Sequence, residues 1–181
     1  MQLTEVTPPT SPVLELNDAK GFLRVLHTDD DIFIQDTIDS VVEHTQNILN
    51  RQLGVATYEL YLDDFRSILP KNPIKSVDKI EYMDVDLNYV ELNVSTYYLY
   101  ERNEIGCISY SEVPSLPEHK KAVKITFTCG YDSVPKPILS YMRVKVSTLY
   151  ENHEEYVIGS IVSDFNDGLV KNLLASYKVH P

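Results

Sequence analysis

The chain of 181 residues has no tryptophan, two cysteines and six glycines. Each scarcity excludes something. Cys107 and Cys129 allow one bridge at most, so no disulfide framework holds this chain together. The reading is a soluble protein made in the cytoplasm with free thiols. Few glycines leave little material for phosphate cradles, and the sequence contains no G-x-S-x-G, no P-loop and no G-x-G-x-x-G. No stretch approaches the roughly 20 apolar residues of a membrane helix. Cations are also short: 16 Lys and Arg stand against 27 Asp and Glu, a formal charge of −11. No basic patch is present to neutralise phosphates, which argues against a dedicated DNA-binding module. The start, "MQLTEVTPPTSPV", lacks the basic and apolar regions of a signal peptide, and residues 1–15 read as a flexible arm.

What is present is charge of one sign, unevenly placed. Residues 135–181 carry five basic and five acidic residues, whereas residues 1–134 carry 11 basic and 22 acidic ones and hold the whole excess. Within the acidic part, "ELNDAKGFLRVL" places Ala19, Phe22, Leu23 and Leu26 at helical spacing behind Asn17 as N-cap, predicting a helix over about 18–26. A second helix follows, capped by Thr28 or Asp29 and running to about Leu53, with Gly54 as its stop. Ile34, Ile38, Val41, Val42, Ile48 and Leu49 share one face of it. Asp29, Asp36, Asp39 and Glu43 share the opposite face, and no basic residue lies between Thr28 and Asn50. Ile32 and Phe33 fall off the apolar face and meet either the first helix or another molecule.

From Val55 the period changes to two. Tyr58, Leu60 and Leu62 alternate with Thr57, Glu59 and Tyr61; Val123, Ile125, Phe127 and Cys129 alternate with Lys124, Thr126 and Thr128. "SVDKIEYMD", "YVELNV", "TYYLY" and "GCISY" supply further short strands, with Pro70, Pro73, Pro114 and Pro117 in the loops. Helix returns after Pro135 and Pro137, with Ile138, Met142, Val146, Leu149 and Tyr150 on its apolar face. A last amphipathic helix contains Leu169, Val170, Leu173, Leu174 and Tyr177, and docks on its own chain or on a partner. The expected fold is α+β. N- and C-terminal helices (16–54 and 132–181) build a helical core, and an antiparallel β subdomain (55–131) is inserted between them.

A search for chemistry finds none assembled. His153 stands among Glu151, Glu154 and Glu155, yet its helical neighbours at three and four residues are Leu149, Tyr150, Tyr156 and Val157. That is not the two-ligand face of a zinc helix, and the residue reads as a helix-end histidine. The other histidines have no metal spacing. "DVDLN" at 84–88 lacks the glycine and the twelfth-position glutamate of a calcium loop and reads as a hairpin connection. Cys107 and Cys129 read as small core residues. No catalytic residue, cofactor or metal site is assigned.

The segments "LNDAKGFLRV", "DDDIFIQDTIDSVVEHTQNILNRQLG", "PIKSVDKIEYMD", "TYYLY", "VKITFTCGY", "PKPILSYMRVKVSTLYENHEE" and "LVKNLLASYK" follow one another in an order that resembles the head–tail connector (head-completion adaptor) family of tailed bacteriophages, in its longer members with a β insertion. The resemblance runs from about Leu16 to Tyr177. It implies a structural protein of the virion neck, made in the host cytoplasm, that forms a ring of about twelve copies on the portal protein. Such a ring extends the DNA channel and offers a platform to the next neck or tail-completion protein. The family commonly engages the portal through its C-terminal segment, which makes Leu169, Leu173, Leu174, Tyr177 and Lys178 the docking candidates. Asp29, Asp36, Asp39 and Glu43 are the candidates for lining a channel through which double-stranded DNA slides without specific binding; the plain alternative for them is a solvated face. A small α+β ligand-binding or enzymatic domain, or another neck or tail completion protein, is the alternative to the connector as a whole.

Overall fold

The computed structural model describes residues 1–66, 68–102, 105–152, 172 and 174–178. The chain divides into a β unit, Met1–Ser11 with Gly54–Asp132, and a helical unit, Pro12–Leu53 with the segment from Ser133 onward.

In the β unit, strict alternation of apolar and polar residues produces two central strands, β2 (Ala56–Leu62) and β7 (Val123–Cys129), each buried at every second residue. They join β1 (Gln2–Thr7), β3 (Ile74–Met83) and β4 (Tyr89–Glu91) in an antiparallel sheet of order β1-β2-β7-β3-β4. A separate antiparallel pair, β5 (Tyr97–Arg102) and β6 (Ile105–Tyr110), is bridged at Cys107 to Ile68. The inward-facing residues of both sheets make one core around Leu60, Ile80, Ile108, Ile125 and Phe127. Burial of each such side chain contributes about 1.5–3 kcal/mol. Tyr58 stacks on Phe127 with ring centroids 5.9 Å apart.

Gln2–Thr7, expected to be a flexible arm, is strand β1. Only Leu3 of its side chains packs on the core, so period-two burial could not announce it. The strand is held by its backbone ladder to β2 and by Glu5, which accepts a hydrogen bond from the Tyr58 hydroxyl at 2.8 Å.

The helical unit contains α1 (Leu16–Leu23), α2 (Asp31–Leu49) and α3 (Lys136–Glu151), which pack on one another. α1 is capped at Glu15 rather than Asn17 and ends on Arg24 in the left-handed conformation. α2 buries Ile34, Ile38, Val41 and Leu49, with Thr37 and Thr45 between them. Those two threonines tolerate burial because each hydroxyl donates to the carbonyl four residues back, Phe33 and Val41, at 2.7 and 2.6 Å. α2 ends four residues short of Leu53: Asn50 adopts φ 53° and its N–H returns to Gln46 and Asn47. On α3, Ile138, Tyr141, Met142 and Val146 are buried, whereas Leu149 is 47% exposed.

Candidate functional site

The carboxylates of the helical unit sort into two groups. One group braces the packing. Lys20 on α1 reaches Asp31 at 2.5 Å and the His27 carbonyl at 2.7 Å, fixing the turn between α1 and α2. Arg143 on α3 pairs with Asp18 on α1 at 3.2 Å, and the Tyr150 hydroxyl donates to Asp30 at 2.6 Å. Hydrogen bonding to Asp30, more than burial, raises the Tyr150 pKa.

The other group is Asp29, Asp36, Asp39 and Glu43. All four are exposed, and none has an ion-pair partner among the described residues. Asp36, Asp39 and Glu43 lie on α2 at spacings of three and four, which sets them along one stripe opposite its buried face. Asp29 is in the turn just ahead of the helix. The Gln35 amide donates to the Asp39 carboxylate at 2.9 Å.

The docking candidates fare differently. Leu174 is 3% exposed, which favours the packing of this segment on its own chain over a contact of this side chain with a partner. Tyr177 is half-buried in a 3-10 turn, and its carbonyl accepts from the buried Arg51 guanidinium at 2.5 Å. Lys178 is exposed. Leu169, Leu173 and His153 lie outside the described residues, as does most of the last expected helix.

The sheet carries one ion cluster that sequence spacing did not reveal. Glu81 on β3 is buried between Lys124 of β7 at 2.5 Å and Lys79 at 2.7 Å. Burial alone would raise its pKa; the hydrogen bonds from Lys124 and Lys79 outweigh it and hold the carboxyl below its ordinary range. Nearby, hydrogen bonding to Glu59 pushes the Tyr61 hydroxyl up to about 12. Burial pushes the Cys129 thiol up to about 12 as well, so it is a protonated core residue rather than a nucleophile. In the 84–88 connection, the Asp84 carboxylate accepts the N–H groups of Asp86 and Asn88, both at 2.9 Å, so this oxygen closes a hairpin turn.

Several apolar side chains are exposed: Leu26, expected on the first helix's apolar face, lies beyond the end of α1 and is 95% exposed, with Ile32 at 80%, Val85 at 92% and Tyr98 at 62%. Ile32 faces solvent, and the Phe33 ring lies 6.1 Å from Tyr150.

Two N-terminal helices, an antiparallel β block and a returning helix are the order of elements expected of a structural connector protein. It belongs to the phage gp6-like head–tail connector family, whose sequence model matches residues 14–127. Its fold is similar to chains in the neck of an empty gene transfer agent particle computed with C6 symmetry and in the virion of the native particle. In each case the TM-score is 0.80 at 17% identity, covering 100% of this chain and 97% of the other. A chain in the neck of a native particle computed with C12 symmetry gives a TM-score of 0.75 at 14% identity, with the same coverage. No curated protein matches the sequence.

Proposed function

We propose that this connector assembles as a ring on the portal of a tailed phage, lengthens the DNA channel and gives the next neck or tail-completion protein its platform. The observation that carries this reading is the likeness, over 100% of the chain, to neck chains of particles computed with C6 and C12 symmetry. Cyclic assembly of about twelve copies then follows from head-to-tail contacts that close on themselves. The ring forms on its template: an interface too weak to hold free subunits together becomes saturated once the portal concentrates them.

The lumen reading belongs to the acidic row. A wall that lets DNA slide must give phosphates no cation to exchange for their condensed counterions. Asp29, Asp36, Asp39 and Glu43, exposed and without a counter-ion among the described residues, meet that requirement. For portal docking, the described candidates are Leu174, Tyr177 and Lys178, of which Lys178 is exposed and Tyr177 half-buried.

Electron microscopy of portal-bearing capsids that lack this chain, before and after its addition, tests the proposal. A new ring of density at the portal vertex is expected. Capsids left unchanged at saturating protein would overturn it.

A further inference from the structure

The β unit has free strand edges of unequal quality. β4, one end of the large sheet, is three residues long, and such shortness is itself edge protection. The outer side of β6 is met by the Ile68–Cys107 bridge and by the Leu69 N–H, which donates to the Gly106 carbonyl at 3.0 Å. That leaves β1 at the other end of the large sheet and β5 in the small one. Each is six residues long, and each pairs with a single strand among the described residues. Neither is guarded in the usual ways. β1 has no lysine and no proline, and its bulge lies at its end, between Glu5 and Thr7; β5 has one cation, Arg102, at its last position.

A second observation marks β5 as a contact. Tyr98 and Tyr100 stand on its outer face, 62% and 39% exposed, with ring centroids 5.9 Å apart. Exposed paired tyrosines beside an open backbone edge are the side-chain anchors and main-chain donors that strand addition uses.

We propose that β1 of one copy adds to the free edge of β5 in the next copy, joining the subunits of the ring. This rests on the ring reading above. A ring requires two different, mutually complementary surfaces on every subunit, and the β unit carries two open edges of equal length, about 20 Å each. Pairing β1 with β1, or β5 with β5, closes a dimer and leaves the other edge open. Charge permits the pairing: β1 brings only Glu5, already bonded to Tyr58, and Glu101 and Arg102 of β5 cancel.

Disulfide trapping tests it. Thr4→Cys protein is mixed with Tyr98→Cys, Tyr100→Cys or Glu101→Cys protein in turn, assembled on portal-bearing capsids and oxidised. The native thiols are buried and do not compete. A bridge needs Cα atoms within about 7 Å, and the three positions sample both faces of β5. A cross-linked dimer in at least one mixture, and a ladder of higher species from the matching double variant, are expected. Imaging of the unmodified ring provides the check against variants that fold or assemble poorly: continuous β1–β5 density should cross the subunit boundary. Rings with no cross-link and no shared sheet would overturn the edge pairing and leave the ring standing. Cross-linking of Thr4→Cys only to itself would also overturn it. Failure of wild-type protein to form any ring would remove both proposals.

Discussion

Gly130, just past the end of β7, has φ 116°, a conformation that L side chains rarely adopt. Its backbone presses on the Gly54–Val55 segment that enters β2. A methyl group there would lie 2.6 Å from the Gly54 carbonyl carbon, closer still to its oxygen, and 2.9 Å from Val55 Cα. Every one of these atoms is backbone, so no rotamer change relieves the clash. The conformation costs about 1–3 kcal/mol for alanine. Separating the two segments by about 1 Å also weakens the hydrogen bond from the Gly130 N–H to the Pro73 carbonyl, now 2.8 Å, by about 1 kcal/mol. Gly130→Ala is therefore expected to destabilise the protein by about 2–4 kcal/mol, a large part of a domain's net stability. Gly21 in α1 is the matched control. Nothing lies within 4 Å of its added methyl, and Gly21→Ala should stabilise by about 0.5–1 kcal/mol. Urea unfolding followed by tyrosine fluorescence suits a chain with 13 tyrosines and no tryptophan. With a slope of about 2 kcal/mol/M, the midpoint should fall by about 1–2 M for Gly130→Ala and rise slightly for Gly21→Ala. A Gly130→Ala midpoint within about 0.5 M of wild type would refute the argument from close approach.

Glu81, held below the ordinary carboxylate range, contributes stability that is complete above its unfolded pKa of about 4.3 and is lost as pH falls through its lower folded value. Glu81→Gln should cost about 1–3 kcal/mol at neutral pH and flatten the loss of stability below about pH 5; parallel wild-type and variant slopes would count against the cluster. Leu174→Ala should lower stability by about 2–4 kcal/mol, whereas Lys178→Ala should stay within about 0.5 kcal/mol, so that only the second reports cleanly on docking. The triple variant Asp36→Lys, Asp39→Lys, Glu43→Lys should gain salt-sensitive affinity for double-stranded DNA, its log–log salt slope steepening by about 0.9 for each phosphate contacted. An unchanged slope would reduce the row to a solvated face.

The sequence revealed those parts of the fold in which burial repeats on one element. β2, β7, α2 and the first half of α3 were legible because the core demands every second residue from a strand and every third or fourth from a helix. β1 was not legible, because an edge strand with one inward side chain shows almost no period. The end of α2 was misplaced for a related reason. Asn50 tolerates the left-handed cap, while Gly54 serves the approach of Gly130, a contact 76 residues away along the chain. The acidic row was visible as a row. Its lack of counter-ions among the described residues was not, because ion pairing is set by contacts between elements: Lys20 reaches Asp31, and Arg143 reaches Asp18, 125 residues distant.

That pattern of pairing bears on why the row exists. Asp36, Asp39 and Glu43 lie beyond the first turn of α2, too far in to gain from the positive end of the helix dipole. Asp36 with Asp39, and Asp39 with Glu43, are like-charge pairs at three and four residues, each unfavourable by about 0.2–0.5 kcal/mol. The helix stands on its buried face, and its outward carboxylates make it slightly less stable than neutral residues would. Glu43→Gln should therefore raise the stability of the isolated chain by a few tenths of a kcal/mol. On the proposed reading the same exchange thins the repulsive wall that keeps DNA moving. A row that costs the fold and spares the phosphates is what a channel lining would require, and the opposed signs of those two effects are what separate it from ordinary solvation.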